Sequence, residues 1–256
     1  NGVVFNISIK DKPGRYVVKF FYKCNNVKNE KYIKRYRRFV KEIETIRELY
    51  EEIEGLLPIV DYHTPEEIKL KNKVYNSWYL MPYAEPLNKI VLNNKVTILV
   101  KLKYLIEISE ILCKLHKRGY AHRDIKIENI LFYEGKIKLA DFGLVWHEKS
   151  DGLTEKHEPI GAWNTIAPEM KRYPNRIKDH CPADVYSFAK LIWTVLKEDT
   201  MCFDGQYRKD KEFALNCEEL GVNTIVPIND LLESATNDDP VKRPTIHECK
   251  RILEKW

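Results

Sequence analysis

The chain has 256 residues, 44% hydrophobic and 32% charged, enough apolar material for a sizeable core and for division into two lobes, as expected of a soluble globular protein. Its 43 lysines and arginines against 38 acidic residues leave a net charge of +5, which suits an anionic ligand but is too small an excess to call for nucleic acid or an anionic membrane. The six cysteines form no CxxC pair and no Cys/His cluster at metal-ligand spacing, so a reduced, cytoplasmic protein is expected; the apolar stretches 99–115 and 185–196 are broken by charge too soon for a membrane span.

Val3 to Ile9 and Arg15 to Tyr22 are rich in β-branched and aromatic residues and flank the turn-forming run Asp11, Lys12, Pro13, Gly14, which predicts a β-hairpin. Ile33, Tyr36, Phe39, Val40, Ile43, Ile46, Leu49 and Ile53 then recur at three- and four-residue steps, so a long amphipathic helix with a charged outer face is expected. Segments 59–62 and 75–81 read as further strands, and Pro82 to Pro86 as a boundary. Beyond it Val100, Leu102, Leu105, Ile106, Ile108, Leu112 and Leu115 form a helical pattern that Lys117, Arg118 and Gly119 bring to a stop. Ile130 to Phe132 and Ile137 to Ala140 make a second hairpin about Glu134 and Gly135, and Asp184 to Leu196 is apolar on most sides, as a buried helix would be.

Because the strands of the second hairpin run antiparallel, Asn129 and Asp141 are expected to emerge as neighbours at its open end. An amide oxygen facing a carboxylate suits a hard divalent cation, above all Mg²⁺, that keeps waters and binds substrate phosphates. Asp124 lies in the same loop, close enough to act as a base, and Lys126 would project beside it to neutralise a transferred phosphoryl group. Taken singly, such residues are most often a solvated loop or a surface ion pair; together they point to chemistry.

The stretch His122 to Asn129, HRDIKIEN, resembles the catalytic loop of the protein kinase family. DFG at Asp141 to Gly143 resembles its metal-binding motif, and APE at Ala167 to Glu169 the end of its activation segment, all in the family's order. The resemblance implies an α+β, bilobal kinase fold. A small antiparallel β-sheet N-lobe with one long helix would span 1–81, a hinge 82–86, and a larger, mainly α-helical C-lobe 87–256, with catalytic loop 122–129 and activation segment 141–169. It makes Asp124 the base for the substrate hydroxyl, Asn129 and Asp141 the Mg²⁺ ligands with Mn²⁺ able to stand in, and Lys126 the partner of the γ-phosphate of ATP, in the manner of a serine/threonine kinase.

YVVKF resembles the strand that carries the nucleotide-anchoring lysine, with Val17 over the adenine and Lys19 on the α- and β-phosphates. Glu42, at the edge of the buried helix face, is the expected partner of Lys19 rather than Glu44, which points towards Lys41, Arg47 and Glu48. Gly2 and Val4 stand where the third glycine and the valine of the phosphate-covering loop would fall; either the chain begins within that motif, as its abrupt start favours, or the loop departs from the family. YLMPYAEP resembles the strand entering the hinge, with Met81 as gatekeeper and adenine read by the Pro82 carbonyl and the Ala84 amide, since proline has no N–H.

The resemblance also assigns packing roles. His122 and Phe142, with Ile46, match one hydrophobic column, Val4, Val17 and Leu131 a column completed by adenine, and Asp184 and Arg243 two anchors, Arg243 pairing with Glu169. Arg123, beside the catalytic aspartate, is expected to receive a phosphate on Ser150 or Thr154, helped by Lys34, Arg37 and Arg38; the alternative is that this basic run is solvated and the segment needs no phosphate. Ala162 and Thr165 stand where the family often has a threonine and an aromatic residue, so substrate docking is expected to be atypical, and Ile127 stands where proline is frequent, a change expected to alter loop stiffness more than charge. A pseudokinase scaffold is opposed by the intact set Lys19, Glu42, Asp124, Lys126, Asn129 and Asp141, and a small-molecule kinase by the segment ending in APE. The expected partners are ATP and protein substrates, without nucleic acid or membrane contact.

Overall fold

The computed structural model describes residues 2–21, 30–65, 77–93, 96–149 and 161–256. They fall into two compact units, one of residues 1–84 with 140–143, the other of residues 85–139 with 144–256.

The first unit is built on an antiparallel sheet in which β1 (Gly2–Ile7), β2 (Tyr16–Phe21), β3 (Asp61–His63) and β4 (Trp78–Pro82) lie in the order β1-β2-β4-β3. Central β2 buries Val17, Val18, Lys19 and Phe21, while β1 at the edge leaves Val3, Val4 and Phe5 exposed. Helix α1 (Glu30–Leu49) turns Tyr36, Phe39 and Ile43 inward, where they close on Phe21 and Tyr79 as an aromatic core. Phe21 meets Tyr36 edge-on, with ring centroids 5.4 Å apart. The expected helical run overshoots: α1 ends at Leu49, and Ile53 is buried beyond it in a turn whose amide bonds to the Leu49 carbonyl at 2.8 Å. The apolar spacing persists past the helix because a tight turn presents the same face. The strand expected over 59–62 likewise lies at Asp61–His63, and Pro82, read as the first boundary residue, closes β4 opposite Tyr16. A strand end is a position that tolerates its missing N–H.

In the second unit, α2 (Leu87–Asn93) is followed by α3 (Ile98–Lys117), whose amide at Val100 is capped by the Thr97 side chain and whose last turn carries Lys114, His116 and Lys117 against the helix dipole. After the two-residue strands β5 (Glu85–Pro86) and β6 (Tyr120–Ala121), strands β7 (Ile130–Tyr133) and β8 (Lys136–Leu139) form the second hairpin, pairing Ile130 with Leu139; the two-residue turn places Glu134 and Gly135 at φ 50° and 78°, the conformation this tight connection demands. Past the short α4 (Pro168–Arg172), helix α5 (Cys181–Lys197) is buried from Ala183 through Leu196 and packs against α3 and against α7 (Val226–Ala235), which follows the short α6 (Cys217–Leu220). Helix α8 (Ile246–Lys255) opens with a reciprocal capping box between Thr245 and Glu248 and packs along α3. Among the described residues no helix is long and apolar enough to cross a membrane, and Cys113, Cys181, Cys202, Cys217 and Cys249 are free thiols.

One buried residue makes the second unit acid-sensitive. His180, just before α5, is 3% exposed, stacks on Trp146 with centroids 4.6 Å apart, and leaves its Nδ1 without a hydrogen bond. Burial, reinforced by the Arg123 charge, pushes its pKa down from 6.5 to about 4. The unfolded chain therefore binds the extra proton first, so stability is full above pH 6.5 and falls as pH drops towards 4. Between pH 7 and pH 5 the wild type is expected to lose about 2 kcal/mol more stability in urea titrations than His180→Phe, which keeps the stack. Equal losses in both proteins would reject this origin of acid sensitivity.

Candidate active site

Two clusters of polar residues are held in place, one in each unit. In the first, register sets Lys19 of β2 opposite Tyr79 of β4, so both side chains stand on one face of the sheet. Glu42, three residues after Phe39 and four before Ile46 on α1, is carried into the interior with only 2% exposure, whereas Glu44 points to solvent. The Lys19 Nζ donates to Glu42 Oε1 and Oε2 at 2.8 and 3.0 Å and to Asp141 Oδ1 at 3.0 Å, and the Tyr79 hydroxyl donates to Glu42 Oε1 at 2.9 Å. Burial works against the Lys19 charge, but Glu42, Tyr79 and Asp141 outweigh it and raise its pKa well above the ordinary lysine value. Burial pushes the Glu42 carboxyl up, against the pull of Lys19.

Asp141 adopts a left-handed backbone, φ 63°, which helps aim its carboxylate at Lys19. Space at Gly143 is tight, since a Cβ there would stand 3.2 Å from Asp141 Oδ1 and 3.6 Å from Glu42 Oε2. Phe142 between them is 1% exposed, and Ile46 is also buried. Tyr79 was absent from the sequence reading. The signal that would have found it is its place on the strand beside the lysine, which needs the register between β2 and β4.

In the second unit, the loop 122–129 folds around Asp124. Lys126 Nζ donates to Asp124 Oδ2 at 2.9 Å, and Asn129 Nδ2 donates to the same oxygen at 2.9 Å and to the Asp124 carbonyl at 2.7 Å. Among the described residues no donor is taken by Oδ1. Asn129 has thus committed its amide nitrogen, and the atom left for another partner is its oxygen, a hard donor. In the first unit the Asp141 carboxylate, 41% exposed, is a hard oxygen donor as well, and each of the two groups by itself is of the kind Mg²⁺ takes.

A buried carboxylate shapes the loop from below. Asp184 on α5 accepts the amides of His122 and Arg123, both at 2.7 Å, and lies 3.0 Å from His116 Nε2. Its complete burial opposes ionisation, yet the His116 hydrogen bond and charge and the Arg123 amide win and hold its carboxyl below the usual range. The restraint holds Arg123 at φ 67°, with its Nε donating to the Leu144 carbonyl at 2.6 Å. His122 is fully buried, and its Nδ1 accepts the Asp124 amide at 3.3 Å. Ile127, where proline is frequent in the family, is buried in the short turn leading to Asn129.

Elsewhere in this unit Arg243 grips Glu169 with two bonds of 2.6 and 2.8 Å, donates to the Pro182 and Asn237 carbonyls, and lies 4.9 Å from the Tyr186 ring centroid. The residues assigned to the nucleotide are distributed over both units. Gly2 and Val4 sit on β1, Val17 pairs with Met81, Pro82 ends β4, Ala84 is buried just after it, and Leu131 belongs to β7 of the second unit. Of the two residues flanking the second hairpin, Asn129 belongs to the second unit and Asp141 to the first. Ser150 and Thr154 lie outside the described residues.

A catalytic-loop Asp, Lys and Asn braced from a buried helix, and a buried Lys–Glu pair on a small sheet, are features of phosphoryl-transfer enzymes. The protein kinase domain model matches residues 1–253, and the chain belongs to that family. It is 30% identical over 209 residues to a serine/threonine-protein kinase of Acanthamoeba polyphaga mimivirus, covering 75% of this chain and 74% of that protein. It is 32% identical over 135 residues to a CBL-interacting serine/threonine-protein kinase of Arabidopsis thaliana, and 32% over 153 residues to a mitosis inducer protein kinase of Schizosaccharomyces pombe. These alignments cover 51% and 57% of the chain but only 30% and 24% of the two relatives. The α+β fold and the reading of the chain as a serine/threonine protein kinase domain are borne out by this membership, and the family generally uses ATP and Mg²⁺.

Proposed function

We propose that the domain transfers the γ-phosphoryl group of ATP to serine and threonine hydroxyls of proteins, itself included, in the cytoplasm. The observation that carries this reading is the state of Asp124, one of whose oxygens is fixed by Lys126 and Asn129 while the other takes no donor among the described residues. That oxygen is suited to accept the acceptor hydroxyl's proton as the oxygen attacks phosphorus. The displaced oxygen leaves on ADP.

Lys126, bonded to Asp124 Oδ2 at 2.9 Å, is the cation assigned to the phosphoryl group in transfer. Lys19, kept protonated by Glu42, is assigned to the α- and β-phosphates, and Gly2, Val4, Val17, Met81, Pro82 and Ala84 of the first unit and Leu131 of the second are the residues assigned to the rest of the nucleotide. Asn129 and Asp141 are the residues to hold Mg²⁺, which neutralises phosphate charge when bound. Ser150 and Thr154 are the acceptors within the chain, with Arg123 the cation for a phosphate there. Incubation with γ-labelled ATP and Mg²⁺, with and without generic protein acceptors, should label protein, and the Ser150→Ala, Thr154→Ala double variant should lose the label on itself. ATP binding without any labelled protein would make the domain a scaffold.

A further inference from the structure

All three protons of the Lys19 ammonium are committed within the first unit, two to Glu42, at 2.8 Å to Oε1 and 3.0 Å to Oε2, and one to Asp141 Oδ1 at 3.0 Å. A phosphate oxygen that is to bond to Lys19 must therefore displace one of these carboxylates. Which of them yields depends on how each is held. Asp141 takes a single one of the three bonds and its side chain is 41% exposed, so water can replace what it gives up. Glu42 is 2% exposed, and parting it from Lys19 would leave a buried charge without its counter-ion.

A second donor fixes Glu42. The Tyr79 hydroxyl bonds to Oε1 at 2.9 Å, the same oxygen that takes the shorter Lys19 contact. Its ring is locked in place. Tyr79 is 2% exposed, its strand pairs with Lys19 of β2 on one side and Tyr62 of β3 on the other, and its ring centroid lies 5.6 Å from that of Phe39. Packing at this position asks only for the ring, which phenylalanine would supply. The hydroxyl answers a different need, since among the described residues its hydrogen bond goes to Glu42 alone. A carboxylate pinned at Oε1 by a rigid donor keeps its orientation, and both of its oxygens stay directed at Lys19.

We propose that Tyr79 is a positioning residue, whose hydroxyl keeps Glu42 on Lys19 so that an incoming phosphate displaces Asp141 and leaves the Lys19–Glu42 pair intact. This rests on the reading of Lys19 as the cation for the α- and β-phosphates and deepens it. Isothermal titration of the chain with ATP and with adenosine, both in EDTA, tests it without any transfer. Tyr79→Phe should weaken ATP binding about tenfold, the yield of one hydrogen bond to a charged group, and leave adenosine within about twofold, since adenosine brings no phosphate to Lys19. A loss of packing alone would weaken both alike. In Glu42→Ala the same substitution should change ATP affinity less than about twofold, because the hydroxyl acts through that carboxylate. Unchanged ATP affinity in Tyr79→Phe, equal losses for ATP and adenosine, or an undiminished loss in the absence of Glu42 would overturn the proposal. A selective loss in a protein that transfers no label upholds Tyr79 and refutes the proposed activity; label transfer without a selective loss does the reverse. A wild type that binds no ATP would refute both.

Discussion

Asp124→Asn is expected to lower the rate of phosphoryl transfer by about 10²–10⁴-fold, the range for removal of a positioned general base. The substitution keeps the shape of the side chain, and its oxygen can still accept from Lys126 or Asn129, which now hold Oδ2 at 2.9 Å. What it removes is the ability to take a proton at physiological pH. Nucleotide binding draws on other residues and should stay near the wild-type value. Single-turnover transfer of label from ATP, measured beside nucleotide affinity, separates the two. A variant that transfers within a few-fold of the wild-type rate would show that the proton goes elsewhere, and the role given to Asp124 would be withdrawn.

Asp184→Ala should destabilise the second unit by about 3–5 kcal/mol, because two buried backbone donors, the amides of His122 and Arg123, each lose their acceptor at roughly 1–3 kcal/mol apiece and His116 loses its partner as well. The loss also frees Arg123 from its left-handed conformation, so transfer should fall even in the folded fraction. Asp184→Asn keeps one oxygen and should cost less. The pH dependence has a definite sign: a carboxyl held below its ordinary range contributes fully above the unfolded value and loses its contribution as pH falls through the folded one. The Asp184 window therefore lies on the acid side of the one set by His180. Urea titrations at pH 7 that showed a loss under about 1 kcal/mol would mean that water replaces the carboxylate, contrary to its complete burial.

Much of this architecture was legible in local pattern. The spacing of Phe39, Ile43 and Ile46 located one face of α1 and thereby favoured Glu42 over Glu44, and the structure carries Glu42 inward and leaves Glu44 in solvent. Glu134 and Gly135 announced the turn of the second hairpin, because two consecutive left-handed residues are a property of the local chain. The limits were local as well. Ile53 extended the apolar spacing after the helical hydrogen bonds had ended, and period alone does not distinguish a helix from the turn that follows it.

The sequence by itself determined which residues are available for chemistry and in what order: HRDIKIEN, DFG and APE identify the family from residue types alone. Only the tertiary structure decided how those residues are held. Tyr79 meets Glu42 because strand register, a long-range property, sets it opposite Lys19. Asp184, some sixty residues beyond the loop it restrains, meets two of its amides only because α5 runs beneath it. Hydrogen bonds and packing between residues far apart in the chain are settled when the core closes, and they fixed the orientation of groups whose identity was already plain.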